Sequence, residues 1–162
     1  MAGVIVSDTG PIITLEGMSD GYGFIRKLYN KIIVPSAVLK EVAEGEFPDP
    51  LDYLEAYQIE DLIEIKSVQT ISNIPEIERL DEGEKEAISL AYQLKLPLLI
   101  EETIGRKIAQ SVNIHISGIA GQIIKAYTGK TIKRKEATRR LGELFKSGCI
   151  NRKIYNSLVD SL

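Results

Sequence analysis

Acidic side chains stand where apolar runs of this chain end. Asp8 follows Val4-Ile5-Val6, and Glu101-Glu102 follow Leu98-Leu99-Ile100. Both runs read as buried strands, and in an open parallel sheet ligands gather beyond the carboxyl ends of the strands. Two more acids sit on helical patterns. Glu84 lies in the first turn of its helix and shares a stripe with Ile88 and Ala91, at i+4 and i+7, so it turns toward the core. Glu41 lies between Val38 and Val42, at the edge of an apolar face. A carboxylate facing a core is unfavourable unless paired or metal-bound, and several together raise one another's pKa. A hard divalent cation removes the conflict, and all-oxygen ligands select Mg²⁺ or Mn²⁺. The chemistry would be hydrolysis of a phosphodiester by metal-activated water. Each acid also has an ordinary reading: Asp8, Glu84 and the Glu101-Glu102 pair all stand where helix caps and dipole partners stand.

Composition excludes other chemistries. The single Cys149 makes no internal disulfide and no thiolate cage, and the lone His115 rules out multi-histidine zinc chemistry. A Ser-His-Asp triad would need His115, which sits in the strand-like alternation Asn113 to Ser117, where a structural role is favoured. The opening Met1 to Asp8 has no basic leader, and no apolar run approaches membrane-spanning length, so a cytoplasmic protein is expected. The net charge of −3 conceals an asymmetry: from Lys125 onward there are ten Lys/Arg against three Asp/Glu, so the tail carries +7 and the rest −10. Lys130, Lys133, Arg134, Lys135, Arg139 and Arg140 are candidates for tracking RNA or docking an acidic partner, or form a solvated helix face.

The elements that must position the acids alternate. Strands are expected at Val4–Val6, Lys31–Pro35, Leu62–Lys66, Leu96–Ile100 and Ile114–Ile116. Helices are expected after Asp8 (Pro11 in the first turn), from Phe24 to Tyr29 after a break over Gly17–Gly23, from an N-cap at Ser36, over Asp49–Leu62, from Asp81, over Thr103–Val112 and over Ile119–Tyr127. Ile71–Leu80 reads as a loop with a short helix. Two tail helices follow, with apolar faces on Ala137, Leu141, Leu144 and Phe145, and on Ile154, Leu158 and Leu162. The alternation implies an α/β fold with a mainly parallel sheet of four or five strands covered on both faces. The expected organisation is a domain over 1–128 with a helical extension, 129–162, packed on it.

Four blocks in order resemble the PIN-domain family, in its DUF3368-type branch. They are Val4 to Ile13 with Asp8-Thr9-Gly10-Pro11, Ile33 to Val42 with Glu41, Leu80 to Ala91 with Gly83-Glu84, and Leu98 to Ala109 with Glu101-Glu102 and Arg106. The resemblance implies a three-layer α/β/α fold and a Mg²⁺- or Mn²⁺-dependent endoribonuclease of VapC toxin type, beside a small antitoxin and as a homodimer. It assigns Asp8, Glu41, Glu84 and Glu101 as catalytic, and Asp8, Glu84, Glu101 and Glu102 as metal ligands. Relatives usually carry Asp-Asp where this chain has Glu101-Glu102. The longer side chain moves each carboxylate by about 1.5 Å, and Mg²⁺ tolerates little displacement. This motivates a second reading, a catalytically weak PIN-fold module that binds protein or nucleic acid. Of the pair, Glu101 is expected to face the site because it directly follows the strand. Thr9 and Ser7 would bond a metal-bound water or phosphate, or cap the following helix; Arg106 would meet a substrate phosphate, or pair with Glu102 at i−4. A phosphotransfer receiver fold fits less well, lacking an aspartate after Val34 and a lysine after Ile116.

Overall fold

A computed structural model of the chain describes residues 3–162. Met1 and Ala2, part of the opening segment read above, lie outside the described residues. Five strands, β1 (Gly3–Ser7), β2 (Tyr29–Pro35), β3 (Ile63–Lys66), β4 (Leu98–Leu99) and β5 (Ile116–Ser117), form one sheet in the order β3-β2-β1-β4-β5. Every pairing is parallel. Helices flank the sheet in an α/β/α arrangement: α1 (Thr9–Gly17), α2 (Gly21–Arg26), α3 (Ser36–Ala43), α4 (Leu51–Ala56), α5 (Glu82–Leu94), α6 (Thr103–Ser111), α7 (Ile119–Thr128), α8 (Arg134–Lys146) and α9 (Arg152–Asp160). No helix among the described residues is long and apolar enough to cross a membrane.

Ile5, Val6, Ile32, Leu98, Leu99 and Ile100 are fully buried, because a strand covered on both faces meets core on each side. Register matters most for the acids. Val6 pairs with Leu98 and Ser7 with Leu99, the Asp8 N–H donates to the Leu99 carbonyl at 3.0 Å, and the Ile100 N–H to the Ser117 carbonyl at 3.0 Å. The carboxyl ends of β1, β4 and β5 are therefore level, and the acids after them emerge at one height. Packing of α3 on α5 brings two further helices to the same edge.

Several local expectations are corrected. The central strand expected over Leu96–Ile100 narrows to β4, since Pro97 has no N–H to donate, although its carbonyl accepts from Val6 at 2.9 Å. The strand expected over Ile114–Ile116 shifts to β5, because Asn113 at φ 63 turns the chain and leaves Ile114 packed but unpaired. The helix expected over Asp49–Leu62 stops at α4. Gln58 at φ 56 breaks it, and Ile59 and Leu62 are buried on the way into β3. The second helix begins at Gly21, and Tyr29 opens β2 instead of ending a helix. Ser36 is not an N-cap; Pro35 holds that position, and the Ser36 hydroxyl meets that of Ser67 at 3.2 Å. The loop before α5 contains a single 3₁₀ turn, Ile77–Arg79.

The tail is two helices of different character. On α8 the apolar face of Ala137, Leu141 and Leu144 is buried against α7. Arg140 joins that face and is only 4% exposed. Its Nε donates to Glu136 at 2.8 Å, its Nη1 to the Ser19 carbonyl at 3.0 Å, and its guanidinium lies 4.9 Å from the centroid of Phe24. Arg139 donates to the Ser19 hydroxyl and to Glu143. Two of the six tail cations expected to face RNA are thus occupied in attaching α8 to the α1–α2 connection. α9 has no buried residue: Tyr155 stacks on Phe145 at 5.1 Å, while Ile154 is 44% exposed.

Truncating Arg140 to Ala removes a buried ion pair, a charged hydrogen bond and a cation–π contact. Chemical denaturation should show a loss of about 2 kcal/mol or more. A midpoint equal to wild type would refute this account of how the extension is held.

Candidate metal centre

Asp8 occupies the N-cap position of α1 with extended backbone, φ −80 and ψ 176, yet its side chain caps nothing. Glycine and proline follow at Gly10-Pro11, and Pro11, in the first turn, has no N–H needing a cap. The carboxylate is left without structural employment. It is 5% exposed, and its Oδ1 has no hydrogen-bond partner. Burial, opposed by the Thr9 N–H and reinforced by Asp81, Glu41 and Glu102, pushes its pKa up to about 6.

Asp8 belongs to an open depression of about 360 Å³ at the carboxyl edge of the sheet. Six carboxylates line it, Asp8, Glu41, Asp81, Glu84, Glu101 and Glu102, and among the described residues no Lys, Arg or His does. Asp81 escaped the sequence reading. It is the N-cap of α5, its Oδ1 accepting from the Glu84 N–H at 2.8 Å while the Glu84 carboxylate reaches back to the Asp81 N–H at 3.3 Å. This reciprocal capping box was legible as Asp81-x-x-Glu84.

The box uses only one Glu84 oxygen. Its Oε2 is buried and no donor reaches it. Burial, partly offset by the Asp81 N–H and increased by contact with Glu102 and by Asp81, pushes Glu84 up to about 8. Burial also works against charge on Glu102, but the Gly105 and Ile104 N–H groups, which its two oxygens accept from, and the contact with Glu84 outweigh it and hold Glu102 below the usual range.

The remaining acids have their own holders. The Thr9 hydroxyl donates to Glu41 Oε2 at 3.1 Å, so Thr9 neither caps α1 nor stands free for a phosphate. Burial raises Glu41, against the Thr9 hydroxyl. The Ser7 hydroxyl is fully buried on the Asp8 carbonyl at 2.9 Å. Glu101 Oε2 accepts from the Cys149 thiol at 3.2 Å, on the turn between α8 and α9. Burial, reinforced by Glu101, pushes that thiol up to about 11, so it stays a donor. Arg106 makes no ion pair with Glu102. Its Nη1 donates to the Ile100 carbonyl at 2.8 Å, bracing the end of β4.

Close approach by glutamates requires missing side chains. A Cβ on Gly105 would lie 3.2 Å from Glu102 Oε2, 3.3 Å from Glu84 Oε2 and 2.7 Å from Ile100 Cδ1. One on Gly83 would collide with Glu41 Oε1, and one on Gly118 with Glu101 Oε1. Glu102 thus leans toward Glu84 on the α5 side, and Glu101 toward Gly118 and Cys149 on the α7–α8 side. Among the described residues, no three His, Cys, Asp or Glu side chains are close enough to enclose a metal ion as they stand. The donor set nevertheless fits a hard cation: all ligands are oxygen, and two buried oxygens, Asp8 Oδ1 and Glu84 Oε2, lack partners.

Residues 4–162 match the model of a family described as DUF3368, PIN domain. Among solved structures, a PilT N-terminus domain protein from the hyperthermophilic archaeon Sulfolobus solfataricus P2 is similar, with a TM-score of 0.56 and 14% identity over 76% of this chain and 92% of that one. At that identity the likeness is one of fold. No curated protein matches the chain in sequence.

Asp8 and Glu84 keep their protons to higher pH when folded than when unfolded. Their contribution to stability is complete below the ordinary carboxylate range and is lost as pH rises through about 6 and about 8. In chelator, the thermal midpoint of the protein should fall between about pH 5 and about pH 9, and Asp8→Asn should be the more stable protein at the alkaline end, by on the order of 1–2 kcal/mol. A midpoint that rises across this window, or an Asp8→Asn variant less stable than wild type there, would contradict the assignment of uncompensated buried charge.

Proposed function

We propose, for a chain that belongs to the DUF3368 family of PIN domains, a nuclease-type family, that the acidic depression binds a divalent cation and hydrolyses RNA phosphodiester bonds. The observation that carries this reading is the pair of buried, partnerless oxygens, Asp8 Oδ1 and Glu84 Oε2, on a lining without a cationic side chain among the described residues. Such an arrangement is unfavourable in the metal-free protein and is relieved by a hard cation.

Asp8, Glu84 and the Glu101-Glu102 pair would hold the ion, Mg²⁺ or Mn²⁺, with Glu41 beside them as a further carboxylate. When bound, a divalent cation there supplies charge neutralisation for the phosphate and a water of lowered pKa. The chain's own residues do the rest. Glu84, whose pKa burial raises, would release its proton on meeting the ion. The Thr9 hydroxyl fixes the carboxylate of Glu41, and the capping box fixes one Glu84 oxygen so that the other points inward. Arg106 keeps the β4 end, and with it Glu101 and Glu102, in place. To hold the ion, Glu101 and Glu102 would leave their present partners, Cys149 and the start of α6. The family resemblance supports the finer part of the proposal: RNA as substrate in the manner of a VapC-type toxin, a small antitoxin as partner, and a homodimer.

A second reading, a PIN-fold module that binds RNA or protein with little catalysis, is favoured by two observations. Glutamates stand in place of the Asp-Asp of the family resemblance, and among the described residues no three acids are assembled for a metal as they stand. Calorimetry with Mn²⁺ separates the readings. The proposal expects saturable binding that releases protons, detectable as a dependence on buffer ionisation enthalpy, with affinity increasing from about pH 6 to about pH 8 as Glu84 is displaced from its proton. RNA cleavage with Mn²⁺ should fall about a hundredfold or more in Asp8→Asn and in Glu84→Gln. Undiminished cleavage by both variants would discard the proposal; no Mn²⁺ binding at all would leave the module reading standing in its place.

A further inference from the structure

At the opposite pole of the sheet lies a second cavity, of about 740 Å³, within the size range of small-molecule sites. It opens where strands begin: Gly3 starts β1, Tyr29 starts β2, and Pro97 and His115 immediately precede β4 and β5. The start of β1 lies at this cavity and its end leads to Asp8 in the acidic depression, about 15–20 Å away, while the lining also reaches Ser117 at the end of β5. The electrostatics of the cavity are the reverse of that depression. Lys27, Lys125 and His115 line it, and among the described residues no carboxylate does. In a chain of net charge −3 this is a local concentration of cationic groups.

The lysine at its centre is held in place. The Lys125 ammonium donates to the Tyr29 hydroxyl at 3.1 Å and lies 4.9 Å from the ring centroid. The Tyr29 hydroxyl donates in turn to Gln122 Oε1 at 2.8 Å, and both Tyr29 and Gln122 are buried. This chain of bonds turns a lone pair of the tyrosine oxygen toward the ammonium, which keeps two further donors. Among the described residues, Lys125 makes no ion pair with a carboxylate. Lys27 is only loosely matched, its Nζ being 3.9 Å from Glu136. Val4, Leu28, Pro97 and Ile116 give the lining an apolar side, with Ser117 and Gly121 beside it. Thr131 stands at the margin next to Lys130, and Lys130, Lys133 and Arg134 are all exposed.

We infer that this cavity is a binding site for a mononucleotide, the phosphate meeting Lys125 and Lys27 and the base lying on the apolar side. Two ammonium groups from different elements suit a phosphate, and a cavity of this volume with an apolar side suits one flat ring better than a strand of nucleic acid, which needs a continuous track. Acidic peptides would satisfy the charge but leave that side uncovered. The contacts inferred for the nucleotide use none of the carboxylates of the acidic depression.

Calorimetry on the full chain in chelator tests this with adenosine 5′-monophosphate and inorganic phosphate as separate probes. The expected result is saturable 1:1 binding of the nucleotide, with inorganic phosphate about tenfold weaker or more for lack of the apolar contact. Lys125→Gln and Thr131→Glu should each weaken the nucleotide about tenfold or more, and Asp8→Asn should leave it unchanged. Thr131→Glu adds a carboxylate at an exposed position, so it stays informative if losing Lys125 from Tyr29 unfolds the protein. Absence of saturable nucleotide binding, equal affinity for inorganic phosphate, or binding unmoved by Thr131→Glu would each overturn the inference.

Discussion

The structure is organised around a surplus of negative charge on a lining that, among the described residues, holds no cationic side chain. Six carboxylates share one depression, and the nearest help comes from backbone N–H groups, one threonine hydroxyl and one thiol. Every one of these donors is neutral. They direct charge without cancelling it, so two oxygens stay orphaned and the protons of Asp8 and Glu84 are retained well above the usual carboxylate range. Such crowding can persist only because the parallel register of β1, β4 and β5 and the packing of α3 on α5 over-determine where the acids stand.

Much of this was legible in the residues. Apolar runs ending in acids gave the strand ends, and the shared stripe of Glu84, Ile88 and Ala91 gave the inward turn of Glu84. The fold class followed from alternation alone. Asp81 was overlooked because an Asp-x-x-Glu capping box reads the same wherever it is found, and only the sheet edge beside it makes its free oxygen part of a lining. Arg140 could have been anticipated: it falls three residues after Ala137 and four before Leu144, on the apolar stripe, where a solvated cation does not belong. The partners of Glu101 were beyond reach, because Cys149 is 48 residues distant and meets it only through the return of α8.

Strand lengths were the least legible part, for a physical reason. β4 and β5 are two residues each, yet Val6 N–H to Pro97 and Leu98 N–H to His115 carry hydrogen bonding beyond their nominal ends. Apolarity reports burial, and buried backbone need not be paired in strand geometry; Ile114 is an instance. The left-handed residues Gln58 and Asn113 are similarly silent in hydrophobic pattern, though each ends a helical stretch.

Helix α8 begins beside the Lys130–Thr131 margin and finishes at the turn bearing Cys149, against Glu101. Thirteen residues make a rod of about 20 Å, clamped near its middle by Arg140. The cationic cavity and the acidic depression thus meet one and the same helical segment, the first beside its beginning and the second just past its end.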